Sequence, residues 1–432
     1  MSQPTLKSLR ARQVFDSRGR PTVEVEVELD DGCIGRASVP SGASTGSNEA
    51  HELRDGDPAV HAGLGVRRAV GHVNGEIATA LRDVDVREQR ALDERLVALD
   101  GTPQLERLGA NAVLGVSLAA CRAAAAANGL PLYAHIAQLA GTAQLSMPMP
   151  MVNILSGGLH AGRGMDVQDF LAVPVAARSI AEAIDLASRV RNAASAVAAK
   201  HGLPTLLADE GGLSPGCATG RAALQLMMEA IEHAGLVPGA DIAIAIDVAA
   251  TSLYDRSLHH YRLAREGRNV DGAGMADIVE SWLAEFPIVS IEDPLDEDDW
   301  PAWAALTRRV GQRVRLIGDD FFTTHRERLA RGIREGCANG VLVKVNQNGT
   351  LTGTLDVIAD ARAHGYAPVI SARSGETEDD FIADLAVGTA AGQIKIGSLR
   401  CSDRLSKYNQ LLRIEERSAA AFAGMSAISL GR

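Results

Sequence analysis

A chain of 432 residues with a net charge of −11 has room for two domains, or for one large barrel with an appendage. With 46% hydrophobic and 22% charged residues it can bury a sizeable core, which excludes a disordered chain. The acidic balance excludes a dedicated nucleic-acid binder, but not an anionic substrate, because bound cations reverse a local field. Aromatics are only 3% and glycines number 43, so alanine must fill much of the core and glycine must serve many turns. The five cysteines (Cys33, Cys121, Cys217, Cys337 and Cys401) contain no C-x-x-C pair. We therefore expect neither a disulfide framework nor a zinc knuckle, and a reducing, cytoplasmic setting. The start, MSQPTLKSLR, has no apolar run of the signal-peptide kind. The most apolar stretch, 112–127, is interrupted by Arg122, so we expect a buried helix and no membrane partner.

In chain order, the first element is VEVEVEL at 23–29, whose strict alternation predicts a half-exposed strand. Asp31-Gly32 supplies a turn, and 34–39 returns as a hairpin. PSGASTGSN at 40–48 is too rich in Gly and Ser for regular structure and is a loop. Helices are expected near 58–82, 87–99 and 110–128, the last stopped by Asn128-Gly129 and Pro131. Together these make a small α+β domain over 1–141.

From about residue 142 to 432, strands and helices alternate. Apolar runs at 205–208, 242–246, 288–291, 314–317, 341–345, 368–371 and 393–396 predict strands. Helical periods lie at 179–200, 221–234, 275–286, 326–335, 351–364 and 378–391. Gly202, Gly235, Gly336 and Gly365 follow helices as C-terminal caps do. Repeated β-α units mean a parallel sheet covered by helices, and seven or eight of them point to a barrel. An open doubly wound sheet is the competing architecture, but no G-x-G-x-x-G follows a first strand.

A barrel's active site lies at the carboxyl ends of its strands. The expected strands end in Asp247, Glu292 and Asp319 in succession, with Asp209-Glu210-Gly211-Gly212 after 205–208. Opposite them stand Lys344, Arg373-Ser374 and Lys395. Three close carboxylates repel unless a cation sits among them, and oxygen-only ligands favour Mg²⁺ over zinc. A single acid could merely cap the following helix; three on consecutive strands, facing two lysines and an arginine, point to a site. Lys344 and Lys395 lie inside the apolar runs LVKVN and QIKIG, where a lysine either snorkels to the surface or has a task. A lysine beside cations has a lowered pKa and can act as a general base. Metal plus lysine is equipment for removing a proton next to a carboxylate and stabilising the resulting ene-diolate.

Over essentially its whole length the chain resembles enolase. The segments that carry the resemblance include DSRGRPTVEVEV (16–27), PSGASTGSNEA (40–50), ADEGG (208–212), SIEDPLDEDDW (290–300), GDD (318–320), LVKVNQNG (342–349), the stretch from RSGETEDD to QIKIG (373–397) and KYNQLLRIEE (407–416). The resemblance implies an α/β, enolase-like fold: an N-terminal α+β capping domain and a (β/α)8-type barrel whose second strand is irregular in direction. It implies Asp247, Glu292 and Asp319 as ligands of a first Mg²⁺ and Ser41 of a second. Lys344 is similar to the base that takes the α-proton, and Glu210 to the acid that assists departure of the β-hydroxyl. Lys395 resembles the carboxylate-binding lysine, and Arg373 and Ser374 the phosphate grip. Gln168 resembles a substrate contact, with Asp169 next to it, and His160 the histidine of a second mobile loop. Ser41 could also be an ordinary turn serine, and His160 a loop histidine without a ligand. A dimer or larger homo-oligomer is the expected assembly, acting on a phosphorylated or phosphonylated carboxylate.

The departures from the family pattern are specific. S-H-R-S-G-E-T is here Ser371-Ala372-Arg373-Ser374-Gly375-Glu376-Thr377, so Ala372 stands where a histidine is usual. Q-E-F is Gln168-Asp169-Phe170, and N-G-G is Ser156-Gly157-Gly158. After His160 the loop reads Ala161-Gly162-Arg163-Gly164 in place of a polar run. I-E-D-G becomes Ile291-Glu292-Asp293-Pro294. Three readings stay open: a paralogue specialised for phosphonate biosynthesis, of the carboxyphosphonoenolpyruvate synthase type; a glycolytic enolase making phosphoenolpyruvate from 2-phosphoglycerate; and a non-catalytic protein on the same fold.

Overall fold

The computed structural model describes residues 5–42, 46–82 and 84–430. The chain opens with a three-stranded antiparallel sheet: β1 (Leu6–Phe15), β2 (Pro21–Leu29) and β3 (Ile34–Ser38). On β2 the expected alternation holds, with Val23, Val25, Val27 and Leu29 fully buried. The intervening glutamates face outward and meet cross-strand cations: Arg12 on Glu24 at 2.6 Å, Arg36 on Glu26 at 2.8 Å and Lys7 on Glu28 at 2.7 Å. The sequence reading did not include β1, because only its Leu6 and Ala11 are buried and its charged residues break the alternation.

Helix Ala110–Ala127 lies directly on this sheet. A Cβ on Gly35 would sit 2.0 Å from the Ala119 carbonyl oxygen, and one on Gly115 would sit 2.6 Å from Val25 Cγ2. Small residues on both sides permit this approach, which is where the alanine-rich composition is used. The helix is long and apolar enough to cross a membrane by length and composition, but most of it is buried inside the protein. The helix expected over 58–82 begins late. Positive φ at His61, Ala62 and Gly63 breaks the first part, and Arg67–His72 then runs through a π turn at Val73–Ile77 into Ala78–Ala80.

The remainder is a closed eight-stranded barrel: β4 (Met149–Ser156), β5 (Asp169–Val173), β6 (Ala243–Asp247), β7 (Ile288–Glu292), β8 (Arg315–Gly318), β9 (Gly340–Val343), β10 (Ala367–Ser371) and β11 (Gln393–Gly397), with β11 pairing back onto β4. Seven strands run parallel, and β5 runs antiparallel to both neighbours. Met149, Met151, Leu171, Val173, Ala245, Ile317, Leu342 and Val369 form one inner cluster. The helices between strands carry polar caps: Ser179, Thr219, Asp271 and Thr350 each accept a backbone N–H three residues on. Gly202, Gly235, Gly336 and Gly365 all take positive φ, as expected of helix stops.

One predicted strand is corrected. Residues 205–208 form no barrel strand; Leu206 is 73% exposed, and only an isolated bridge joins Leu207 to Leu213. The barrel positions belong instead to β4 and β5, both buried along their entire length. Helices Leu132–Ala140, Trp300–Val310 and Ser402–Arg417 also lie outside the sequence reading.

The two domains meet at helix Phe381–Gly388, buried throughout. There Asp384 accepts the Tyr133 backbone N–H at 3.1 Å and the Gln410 amide at 3.0 Å. Burial raises its carboxyl from the ordinary 3.8 to about 6. The folded state therefore holds a proton that the unfolded chain has released, and stability falls as pH rises between those two values. The full amplitude of such a shift is about 3 kcal/mol. We expect Asp384→Asn to remove this slope, since Gln410 can turn its amide to match. Thermal unfolding across a pH series should show the variant gaining on the wild type at pH 7 and not at pH 4.

Candidate active site

The register of the parallel strands brings the predicted groups to one mouth. Glu292 at the end of β7 pairs laterally with Asp247 at the end of β6. Asp319 follows β8, Lys344 follows β9, and Lys395 sits within β11 beside Ser371 of β10. Lys395 Nζ lies 2.7 Å from both Asp247 Oδ2 and Glu292 Oε2. Lys344 Nζ lies 2.5 Å from Asp319 Oδ2, whose Oδ1 accepts Gln347 Nε2 at 2.9 Å. Gln168 Nε2 donates to Asp247 Oδ2 at 3.1 Å. All these side chains are buried or nearly so, and the mutual repulsion of the acids is met by two ammonium groups.

Burial, then the Asp247 carboxylate, pushes the Glu292 carboxyl well above the usual range. Burial would raise Asp319 too, but the adjoining Lys344 reverses this and holds it low. Burial pulls both lysines down, and their acid partners more than compensate. Lys344 is held above its ordinary value chiefly by Asp319, and Lys395 well above it by Asp247 and Glu292. The lowered lysine pKa expected beside cations is therefore not a property of the protein alone.

The residues fit a divalent cation. The acids offer only oxygen, and Glu292 Oε1 is buried without a hydrogen-bond partner. Asp247, Glu292 and Asp319 would hold the ion. Asp293 comes within 4.8 Å of Asp319 and Asp320, but its two oxygens accept the backbone N–H groups of those residues at 2.9 and 2.7 Å. It braces the loop that carries Asp319.

Arg373 turns its guanidinium to Glu49 of the capping domain, at 2.9 and 3.2 Å, and to Asn346 at 2.8 Å. His160, Gln168, Glu210, Asp247, Lys344, Arg373, Ser374 and Lys395 all line one narrow cavity of about 20 Å³, with Ser371 and Ala372 completing its wall. A wider cleft of about 420 Å³ beneath the capping loop reaches the same Arg373. A broad surface cleft of about 820 Å³ along Phe15, Arg36, Arg122 and Asp379 contains none of the predicted catalytic groups.

Comparison with known families agrees with this architecture. The model of the enolase N-terminal domain matches residues 6–136, and that of the enolase C-terminal TIM barrel domain matches residues 144–430. The chain belongs to the enolase family. It is thus an enolase-superfamily lyase in general terms, of a family that generally uses Mg²⁺.

Around the same cavity, this enolase-family chain gathers a second group. His160 Nδ1 lies 3.5 Å from Asp169 Oδ2 and 3.9 Å from Glu210 Oε1. Asp169 stands at the first position of the reversed strand β5. Its Oδ1 accepts Asn153 Nδ2 at 2.7 Å and Ser156 Oγ at 2.8 Å, while its Oδ2 has no hydrogen-bond partner. Burial lowers His160, and Asp169 and Glu210 bring it above its ordinary value. Ser156, the residue that departs from the family's asparagine, is thus a direct support of a second departure, Asp169.

Ser41 is the one predicted ligand that the structure does not bring to the acids. Its Oγ donates to Glu52 at 3.0 Å and accepts from Arg54 at 2.8 Å, and its backbone pairs with Gly375. It clamps the capping loop to the 373–377 loop, and the following residues 43–45 lie outside the described residues. The sequence reading assigned no role to Glu49, Gln347, Asn346 or Arg404. Arg404 is fully buried and donates to the carbonyls of Arg373, Ser374 and Ile396 at 2.7, 2.7 and 2.9 Å, fixing the loop that carries Arg373 and Ser374. Glu49 and Gln347 lie within the family-like segments. Only the pairing of distant loops distinguishes them from solvated polar residues.

Proposed function

We propose that this enolase takes the α-proton of 2-phosphoglycerate or a close relative through Lys344 and forms an enolpyruvate product as Glu210 protonates the departing β-hydroxyl. The observation that carries the reading is that Lys344, Lys395, Glu210 and His160 line one cavity, with Asp169 behind His160 at 3.5 Å. Arg373 and Ser374 would grip the phosphorus group, Arg373 exchanging Glu49 for it. Lys395 would meet the substrate carboxylate. Bound Mg²⁺ would supply positive charge opposite that carboxylate and take up the acid charge that otherwise keeps Lys344 protonated.

We further infer a paralogue specialised for phosphonate biosynthesis, of the carboxyphosphonoenolpyruvate synthase type, working in the cytoplasm as at least a dimer. Ala372 supports it, because the cavity wall between Ser371 and Arg373 carries a methyl group where a polar ring is usual. Asp169 supports it as well, since its shortened side chain is tied back to Asn153 and Ser156 and stands 3.5 Å from His160. The groups for proton removal are intact, while those around the leaving hydroxyl are altered. The glycolytic reading draws its support from those intact lysines and acids.

Steady-state kinetics on 2-phosphoglycerate, with and without phosphonoformate, separate the two. We expect slow conversion to phosphoenolpyruvate, raised in the Ala372→His, Asp169→Glu double variant and not additively from the singles, because both positions act on one leaving group. A wild-type rate typical of glycolytic enolases, with phosphonoformate ignored, would leave the glycolytic reading standing.

A further inference from the structure

Outside the catalytic cavity, a groove of about 560 Å³ runs between the turn that carries His160 and the small antiparallel sheet Tyr254–Asp255, His260–Leu263 and Arg268–Val270. Four of its lining residues are arginines, in a chain whose net charge is −11. Arg256 is engaged with Glu297 at 3.1 Å and Asp298 at 3.3 Å. Arg163, Arg262 and Arg265 are exposed, and among the described residues their side chains have no carboxylate partner.

The two acids of the groove are already committed. Asp166 accepts the backbone N–H groups of Arg265 and Glu266 at 3.0 and 3.3 Å, and Asp255 accepts Ser257 Oγ at 2.6 Å and its N–H at 2.9 Å. The first of these contacts fastens the His160 loop to the sheet, so the two walls of the groove are held together. Leu159 and Tyr254 add apolar surface to the lining. Three guanidinium forks contributed from the two walls of one groove, with apolar side chains beside them, match a small dianion on a partly apolar carrier.

We propose that this groove is a second anion-binding site, taking a phosphoryl or phosphonyl dianion on a small organic group. It adjoins the catalytic cavity without belonging to it. Gly158 and Leu159 line the groove, and His160, the next residue, lines the cavity. The site stands on this geometry alone and does not require the reaction proposed above.

The test is calorimetric binding of phenylphosphonate to the full chain in the Arg373→Ala background, which removes the phosphate grip of the catalytic cavity. Inorganic phosphate serves as the probe without an apolar carrier. We expect phenylphosphonate to bind at one site per chain, inorganic phosphate to bind more weakly, and Arg163→Ala, Arg262→Ala, Arg265→Ala together to weaken phenylphosphonate by about tenfold or more. Each single substitution should give a smaller loss, and as the three side chains are exposed the variants should keep the parent's unfolding temperature. No binding in the Arg373→Ala background, or equal binding with and without the three arginines, overturns the proposal.

Discussion

Lys344→Ala is expected to stop exchange of the substrate α-hydrogen with solvent while the barrel stays folded. Loss of a positioned general base costs about 10²–10⁴-fold. The loss should be larger if proton transfer becomes rate-limiting. Lys344 is also the ion-pair partner of Asp319. A variant lacking Lys344 leaves Asp319 without its ammonium partner, so the metal-free protein should lose stability and recover part of it when Mg²⁺ is added. Hydrogen exchange followed by mass or NMR, beside thermal unfolding, reads both effects. Undiminished exchange in Lys344→Ala would move the base elsewhere, with Lys395 the first alternative.

Withholding Mg²⁺, or replacing Asp319, which would hold it, should have an effect of similar size. Chelation is expected to abolish turnover, because Asp247, Glu292 and Asp319 then keep both lysines paired and protonated. A cation that binds only the folded protein stabilises it by about 2.7 kcal/mol at a hundred times its dissociation constant. Wild type should show an Mg²⁺-dependent rise in unfolding temperature, and Asp319→Asn should show little or none. Asp319→Ala should in addition be less stable without metal, by about 3–5 kcal/mol, since it strands a buried ammonium. Full activity in EDTA would defeat the mechanism.

The groups at the barrel mouth were legible in the sequence because each charge stands out against an apolar run. Asp247 and Glu292 end such runs, and Lys344 and Lys395 interrupt them. The β2 alternation was legible for the related reason that one face is dry and the other wet. What escaped had no contrast of this sort. β4 and β5 are buried along their whole length, so neither period nor polarity marks them, and the exposed Leu206 and Leu207 further along the chain mimicked a strand. Arg404 and Glu49 act on loops distant in the chain, and no local pattern reports such contacts. Ser41 shows the converse. It lies in a family-like segment, but its hydroxyl is spent on Glu52 and Arg54.

The reversal of β5 changes which piece of chain reaches the barrel mouth. A parallel strand offers the mouth the loop that follows it, and a crossover helix must then bring the chain back to the barrel floor. β5 offers the mouth its beginning, so residues 157–168 form the tip of a plain hairpin whose two legs are hydrogen-bonded to each other. No crossover helix follows that tip. Met165 and Val167 anchor its second half in the core and Asp166 ties it to Arg265 and Glu266, so freedom to exchange residues falls on the exposed Gly162 and Arg163, close to His160. In this barrel, sequence change beside the cavity is therefore best tolerated at the turn of a hairpin, where no strand register depends on it.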